Sequence, residues 1–186
     1  MPTSQDPAIF QLKVLLKHSK PPIWRRLQVK SDTTLYKLHW IIQIAMGWTN
    51  SHLHQFIADG VYYGEPHPDF GFDVISERRV RLYQLVSGVK DKFIYEYDFG
   101  DSWEHEVVVE KILKPEPKTR YPHCIKGKRA CPPEDIGGVW GYDDFLDAIQ
   151  NKDHPEHEMY LDWIGGSFDP EAFDMDEVNQ ELKQLR

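Results

Sequence analysis

The sequence contains little cysteine and no long apolar run, and both absences narrow the class of protein. Two cysteines among 186 residues cannot form the disulfide framework of a small secreted domain. No stretch approaches the roughly 18 consecutive apolar residues that a membrane-spanning helix needs, and the mean hydropathy is −0.58. Residues 1–10 lack the basic start and the apolar core of a signal peptide. We therefore expect a cytoplasmic protein that does not contact a membrane.

Several common catalytic motifs are also missing. The sequence has no G-x-x-x-x-G-K-[ST] phosphate loop, no G-x-G-x-x-G after a strand, no H-E-x-x-H and no G-x-S-x-G. Ser102 precedes His105 by three residues, and side chains at that spacing on a strand point to opposite faces, which disfavours a serine–histidine pair. These absences favour a binding protein over an enzyme of a common class.

The acidic charge is concentrated at the C-terminal end of the chain. The formal net charge is −8, but residues 1–130 carry +4 and residues 131–186 carry −12. An acidic segment repels the phosphate backbone, so direct DNA binding is not expected. The basic stretch 111–129 pairs with the acidic helices or, alternatively, meets an acidic partner.

Side-chain periodicity divides the chain into a strand-rich part and a helical part. The predicted strands are residues 8–17, 23–29, 48–59, 61–63, 92–99 and 102–112, and the predicted helices are residues 33–46, 143–150, 155–164 and 174–185. Loops are expected at residues 64–77 and, because of five prolines, at residues 114–133. This order predicts an α+β fold in a single domain over residues 1–186, with a largely antiparallel sheet, one N-terminal helix and a C-terminal helical segment.

The predicted hairpin carries the densest set of candidate functional residues. Asp98 and Asp101 flank its turn, and His105 lies on the second strand in the same apolar row as Trp103. Carboxylates and an imidazole at a hairpin tip can bind a divalent metal or transfer protons, so Asp98, Asp101 and His105 are the candidate catalytic residues. The alternative is structural, because aspartates favour turns and a histidine in an apolar row usually belongs to the core.

Two pairs of residues are candidate metal ligands. His52 and His54 alternate on a predicted strand, which places both imidazoles on one side, roughly 6.5 Å apart. Cys124 and Cys131 are separated by six residues, a wider spacing than in the usual zinc knuckle, and a zinc ion there would need ligands from elsewhere. The alternatives are a packed aromatic face for the histidines and free buried thiols for the cysteines.

Residues 131–142 combine a Pro-Pro turn, two carboxylates and a Gly-Gly pair. A rigid turn of this kind either lines a pocket or positions the helix that follows, and the residues alone leave both possibilities open. The candidate binding residues are Glu134, Asp135 and Tyr142 from this segment and Trp103 from the hairpin.

Several segments together resemble the Ri-plasmid ORF-3-like family, which is sometimes labelled as resolvase-like passengers of mobile elements. They are residues 21–26 (PPIWRR), 38–39 (LH), 46–48 (MGW), 52–56 (HLHQF), 95–105 (YEYDFGDSWEH), 131–142 (CPPEDIGGVWGY) and 163–170 (WIGGSFDP). The resemblance covers about residues 9–174. It implies a single α+β domain of plasmid or mobile-element context and brings no established activity. Family members often carry cysteine where this chain has Ile136, which argues against a cysteine-ligated metal here.

Two functional hypotheses follow. The first is a non-enzymatic binding or interaction domain for a protein partner or a small ligand, with no cofactor predicted and with the hairpin and the 132–142 turn on its binding surface. The second is a metal-dependent hydrolase or nuclease-like enzyme. This enzyme would need a divalent metal held at one site. The site would combine Asp98, Asp101 and His105 with one of His52 and His54 and with one of Glu134 and Asp135.

Overall fold

A computed structural model describes residues 7–66 and 73–185 of the chain. Within these parts the strands are β1 (Ile9–Leu16), β2 (Trp24–Lys30), β3 (His54–Ala58), β4 (Val61–Gly64), β5 (Ile75–Ser76), β6 (Lys92–Tyr97), β7 (Trp103–Leu113) and β8 (His123–Lys128). The helices are α1 (Leu35–Met46), α2 (Leu82–Leu85), α3 (Gly138–Gln150), α4 (His157–Ile164) and α5 (Met175–Leu182). Residues 1–6, which bear on the signal-peptide expectation, and residues 67–72 of the predicted loop lie outside the described residues.

The described strands form one sheet in the order β5-β4-β3-β6-β7-β1-β2-β8. Neighbouring strands run antiparallel except β4 and β5, which are parallel. The prediction of an α+β fold with a largely antiparallel sheet is therefore confirmed.

The two faces of the sheet differ because successive side chains of a strand point to opposite sides. On the inner face Tyr95, Trp103 and Val107 are fully buried, and α1 packs on this face, where its His39 bonds to the Tyr95 hydroxyl. The outer face is polar and carries ion pairs such as Arg26 with Glu110 at 2.6 Å. An antiparallel sheet with one solvated face shows this alternation.

The sequence prediction was wrong about the start of β3 and about β8; in addition, the loop expected at residues 64–77 contains β5, and α3 begins at Gly138 rather than at residue 143. The strand expected from residue 48 begins only at His54, because residues 48–53 bond to other loops and Asn50 takes a left-handed conformation with φ of 54°. The segment expected to be irregular contains β8, which pairs with β2. The five prolines lie on either side of residues 123–128, so they leave that strand free to form.

The acidic C-terminal part packs against the edge of the sheet. Asp174 caps α5 by accepting hydrogen bonds from the backbone N–H groups of Asp176 and Glu177. The amide of Asn179 on α5 bonds both the N–H and the carbonyl of Cys124 on the edge strand. None of the helices in the described ranges combines the length and apolar character that crossing a membrane requires.

Candidate functional site

The β6–β7 hairpin ends in a turn built by Asp98. This residue adopts φ of 60°, a left-handed conformation that aspartate tolerates better than most residues. Its Oδ1 accepts hydrogen bonds from the N–H groups of Gly100 at 2.9 Å and Asp101 at 3.3 Å. The backbone N–H of Asp98 also donates to the Leu53 carbonyl, so the turn is fixed beside the segment that precedes β3.

The 131–137 turn is fixed to the hairpin by Asp101. Its Oδ2 accepts a hydrogen bond from the N–H of Gly137 at 3.0 Å, directly before α3. Gly138 follows with φ of 72°, and a Cβ added to it would lie 2.5 Å from the Asp101 carbonyl oxygen. Only glycine allows this close approach, because no side chain projects into the gap.

We expect Gly138→Ala to lower the free energy of unfolding by about 2–3 kcal/mol. A left-handed alanine costs about 1–2 kcal/mol, and the added methyl group must also push the turn away from the hairpin. Gly165→Ala is the matched control, because Gly165 has φ of 86° with open space around its Cβ position. Urea unfolding of both variants should show the larger loss for Gly138→Ala, and equal losses would contradict a tight contact between turn and hairpin.

Glu134 joins the turn to residues 48–53. Its Oε1 accepts hydrogen bonds from the N–H of Thr49 at 3.0 Å and from the hydroxyl of Tyr97 at 3.1 Å. Trp48 donates from Nε1 to the Pro132 carbonyl at 3.2 Å. Burial and the neighbouring carboxylate of Glu134 raise the pKa of Tyr97, so its hydroxyl keeps its proton.

These contacts bring His52 together with three carboxylates. Its Nε2 lies 2.9 Å from Asp135 Oδ1, 3.5 Å from Asp98 Oδ2 and 3.8 Å from Glu134 Oε2. This nitrogen is enclosed, yet it makes no hydrogen bond within residues 7–66 and 73–185. We call His52, Asp98, Glu134 and Asp135 the histidine–carboxylate cluster.

A second, buried network lies beside this cluster. In His39, Nδ1 lies 2.8 Å from the hydroxyl oxygen of Tyr95, and Nε2 lies 2.9 Å from Oδ1 of Asn50. Gln43 donates to the Tyr95 hydroxyl and accepts from the N–H of Asn50. The hydrogen bonds among His39, Tyr95, Gln43 and Asn50 form a closed ring when His39 is neutral, because its Nε2–H then donates to Asn50 and its Nδ1 accepts from Tyr95. In agreement, burial lowers the pKa of His39 to about 3, with a smaller contribution from the nearby His54.

His54 belongs to this network rather than to the histidine–carboxylate cluster. Its ring stacks on that of His39 with centroids 3.4 Å apart. Its Nε2 lies 2.7 Å from Oε2 of Glu77, a carboxylate with no exposed surface. The structure therefore separates His52 from His54, because residue 52 precedes the strand on which the alternation argument placed both.

A groove opens above the buried network, between α1 and the start of β3, with a volume of about 560 Å³. We call it the α1–β3 groove. Its lining comprises aromatic, amide, hydroxyl and imidazole side chains, chiefly those of Tyr36, His39, Trp40, Asn50, Ser51, His52, His54, Gln55 and Phe99. His52 lines the groove and also belongs to the histidine–carboxylate cluster, so the two features adjoin.

Several candidate residues lie away from both features. His105 is fully buried, bonds through Nδ1 to the Tyr95 carbonyl at 3.2 Å, and has its pKa lowered by burial to about 4. The full convergence required of the hydrolase hypothesis is therefore not present, since His105 lies in the core and Asp101 bonds to the turn. Trp103 and Tyr142, proposed as binding residues, are 0% and 3% exposed and pack in the core.

The cysteines are also apart from the site. Cys124 is buried under α5, and Cys131 packs below Gly47. Burial raises the pKa of both thiols. In the described parts of the chain, neither cysteine belongs to a group of three side chains that could hold a metal ion, whereas His52, Asp98 and Asp135 form such a group.

Sequence reasoning missed His39, Asn50 and Glu77. A usable signal existed for His39, because it and Gln43 are four residues apart and therefore share one face of α1, and polar groups on a buried helix face require partners. Glu77 lies in an irregular segment without periodicity, and nothing in the sequence marks its carboxylate as buried.

Fold and site together define an α+β protein in which helices cover one face of an antiparallel sheet and a polar groove opens beside a histidine–carboxylate cluster. The sequence profile of the plasmid pRiA4b ORF-3-like protein family matches residues 8–177. The chain belongs to this family, as its motifs predicted.

Two relatives agree with this assignment. The chain is similar to the uncharacterized protein y4hQ of Sinorhizobium fredii (strain NBRC 101917 / NGR234), with 39% identity over 180 residues, covering 96% of this chain and 92% of the relative. It is also similar to the crystal structure of the protein of unknown function MM3350 from Methanosarcina mazei Go1. The identity is 37% and the TM-score 0.85, over 94% of this chain and 99% of the other.

Proposed function

We propose that this protein is a binding domain for a small, uncharged, flat molecule, which lies in the α1–β3 groove. The observation that carries the proposal is the groove itself, which opens above a closed ring of hydrogen-bonded groups. Its volume of about 560 Å³ falls within the roughly 300–1,000 Å³ typical of small-molecule sites. The ring of His39, Tyr95, Gln43 and Asn50 holds the polar groups of the floor in place before a ligand arrives.

The charges around the groove favour an uncharged ligand. His39 is neutral at physiological pH because burial lowers its pKa to about 3. Arg78 and Glu65, both on the groove wall, form an ion pair with each other at 2.9 Å. These two charges balance each other, and the carboxylates of the adjoining histidine–carboxylate cluster disfavour an anionic ligand.

The lining also favours a flat molecule with a hydrogen-bonding edge. Trp40 and Phe99 present aromatic surface to the groove, and Phe99 is 44% exposed next to the hairpin turn. Asn50 supplies an amide and Ser51 a hydroxyl at the same site. Aromatic faces bind flat rings by stacking, whereas amides and hydroxyls both donate and accept hydrogen bonds.

A titration with adenine and nicotinamide tests this proposal, with benzoate as the charged comparison. We expect backbone amide NMR shifts confined to residues of the groove, weaker binding of benzoate, and at least about a tenfold loss of adenine affinity in Trp40→Ala, since stacking on one ring contributes about 1–3 kcal/mol. Trp140→Ala is the matched control, because Trp140 is 79% exposed on α3 and outside the groove. Absence of binding by either heterocycle at millimolar concentration, or equal losses in the two variants, would overturn the proposal.

A further inference from the structure

We infer that His52, Asp98 and Asp135 form a binding site for one divalent transition-metal ion at the end of the α1–β3 groove. This inference goes beyond the binding of a small molecule in the groove and does not depend on it. One imidazole nitrogen and two carboxylate oxygens from these residues all lie within 4.8 Å of one another. Metal–nitrogen and metal–oxygen bonds of about 2.0–2.2 Å place two ligands of one ion roughly 3–4.2 Å apart, so small side-chain rotations close the site.

The surroundings of His52 support a shared ligand at the centre of the cluster. Its enclosed Nε2 has three carboxylate oxygens within 4 Å and forms a hydrogen bond with none of them in the described chain. The two nearest oxygens belong to different aspartates, Asp135 at 2.9 Å and Asp98 at 3.5 Å. The nitrogen and these two oxygens are the three atoms that would share the ion.

The buried carboxylate of Asp98 points to the same space. Its side chain is only 9% exposed, and its Oδ1 is occupied by the N–H groups of Gly100 and Asp101. Its Oδ2 accepts no hydrogen bond from the described residues and lies 3.5 Å from His52 Nε2. Burying a carboxylate is costly unless its charge is paired, and a cation beside Oδ2 would reduce that cost.

The charge balance also favours a cation. Asp98, Glu134 and Asp135 converge around a single imidazole, and like charges at such short distances repel each other. A divalent ion neutralises the two aspartates that would coordinate it. Glu134 stays fixed by Thr49 and Tyr97 through Oε1, and its Oε2 remains near the ion as an acceptor for a coordinated water molecule.

The donor set selects the kind of metal. Imidazole together with carboxylates suits Zn²⁺, Mn²⁺ or Fe²⁺, while Ca²⁺ and Mg²⁺ prefer all-oxygen sites and the absence of thiolate disfavours Cu⁺. Zn²⁺ should bind more tightly than Mn²⁺, as the usual order of metal affinities predicts. Three protein ligands leave coordination positions open, and the 69% exposure of Asp135 gives access from solvent.

Calorimetric titration of the EDTA-treated full chain with ZnCl₂, MnCl₂ and CaCl₂ tests the site. We expect one Zn²⁺ per chain, weaker binding of Mn²⁺, no Ca²⁺ binding, and at least about a hundredfold loss of Zn²⁺ affinity in His52→Ala and Asp98→Asn. Because Asp98 also builds the turn, Asp135→Asn provides a variant at an exposed position, with an expected loss of at least about tenfold. His154→Ala is the matched control, since His154 lies beside Asp144 and Asp147 in a different surface depression.

Two outcomes would overturn the inference. In the first, the unmodified chain binds no Zn²⁺, and the cluster is then held only by the contacts of His52 with its carboxylates. In the second, Zn²⁺ binds but His154→Ala weakens it as much as His52→Ala does. Adenine titration in the presence of EDTA reports on the groove alone, so failure of the metal site and failure of groove binding are distinguished.

Discussion

Lowering the pH from about 6.5 to about 4.5 should reduce the free energy of unfolding by about 4 kcal/mol, because two buried histidines resist protonation. Burial is the main cause of lowering the pKa from 6.5 to about 3 in His39 and to about 4 in His105. In this pH range the unfolded chain binds protons that the folded chain does not, so the stability rises with pH. The folded protein has its full stability above pH 6.5, the pKa of these histidines in the unfolded chain. This stability is lost as the pH falls toward their pKa values in the folded chain, about 3 for His39 and about 4 for His105. A loss of this size is comparable to the whole stability of many domains.

The effect is measured by urea unfolding at a series of pH values within this range. At pH 5 the slope should correspond to at least about two protons taken up on unfolding, because burial also lowers the pKa of His123. His105→Leu removes one of these groups from a row that also contains Val107 and Val109, and the slope should then fall by about one proton. Glu110, whose pKa is lowered by Arg26, contributes mainly at lower pH. A free energy independent of pH, or an unchanged slope in His105→Leu, would contradict neutral buried imidazoles.

His54→Ala should lower the free energy of unfolding at pH 7 by about 3–5 kcal/mol, which is the usual loss when a buried charge loses its partner. His54 bonds to Oε2 of Glu77 at 2.7 Å, and the Glu77 side chain is completely enclosed. Its Oε1 already has no hydrogen-bond partner in the described parts of the chain. Removing the imidazole leaves neither oxygen of this buried carboxylate with a hydrogen-bond partner among residues 7–66 and 73–185.

A double-mutant comparison separates this charge effect from simple loss of packing. Glu77→Gln keeps the shape and removes the charge, so His54→Ala/Glu77→Gln should be more stable than His54→Ala alone, by about 1–3 kcal/mol. Urea unfolding of His54→Ala, Glu77→Gln, the double variant and the unmodified protein gives the coupling free energy between the two side chains. If the two single losses simply add in the double variant, the pair is not coupled and the interpretation of Glu77 as a buried charge fails.

The sheet was largely predictable from the sequence because strand alternation is a local property. Parity alone placed Trp103 and His105 in one apolar row, and both side chains are buried. The errors in the predicted strands and loops arose where the side-chain pattern of a segment favours one structure and its contacts with distant residues favour another. Residues 48–53 look extended in sequence but bond to the 131–137 turn, and β8 was obscured by the prolines on either side of it.

The candidate site was predictable only in part. The hydrolase hypothesis required His52 or His54 to converge with Asp98 and with Glu134 or Asp135. Which of these residues meet depends on three loops held together by Asp101, Glu134 and Trp48. It also placed His105 among them, although the inward parity of that residue carries it into the core. The partner of His54 lies 23 residues away in an irregular segment, where no spacing rule connects the two.

A crystal of this protein soaked with adenine provides the most direct test of ligand binding in the α1–β3 groove. We predict electron density for the ring within about 4 Å of Trp40, which is van der Waals contact, and a hydrogen bond from its edge to Asn50 or Ser51. Density for adenine only outside the groove, or an empty groove at saturating adenine, would contradict a binding function for this site.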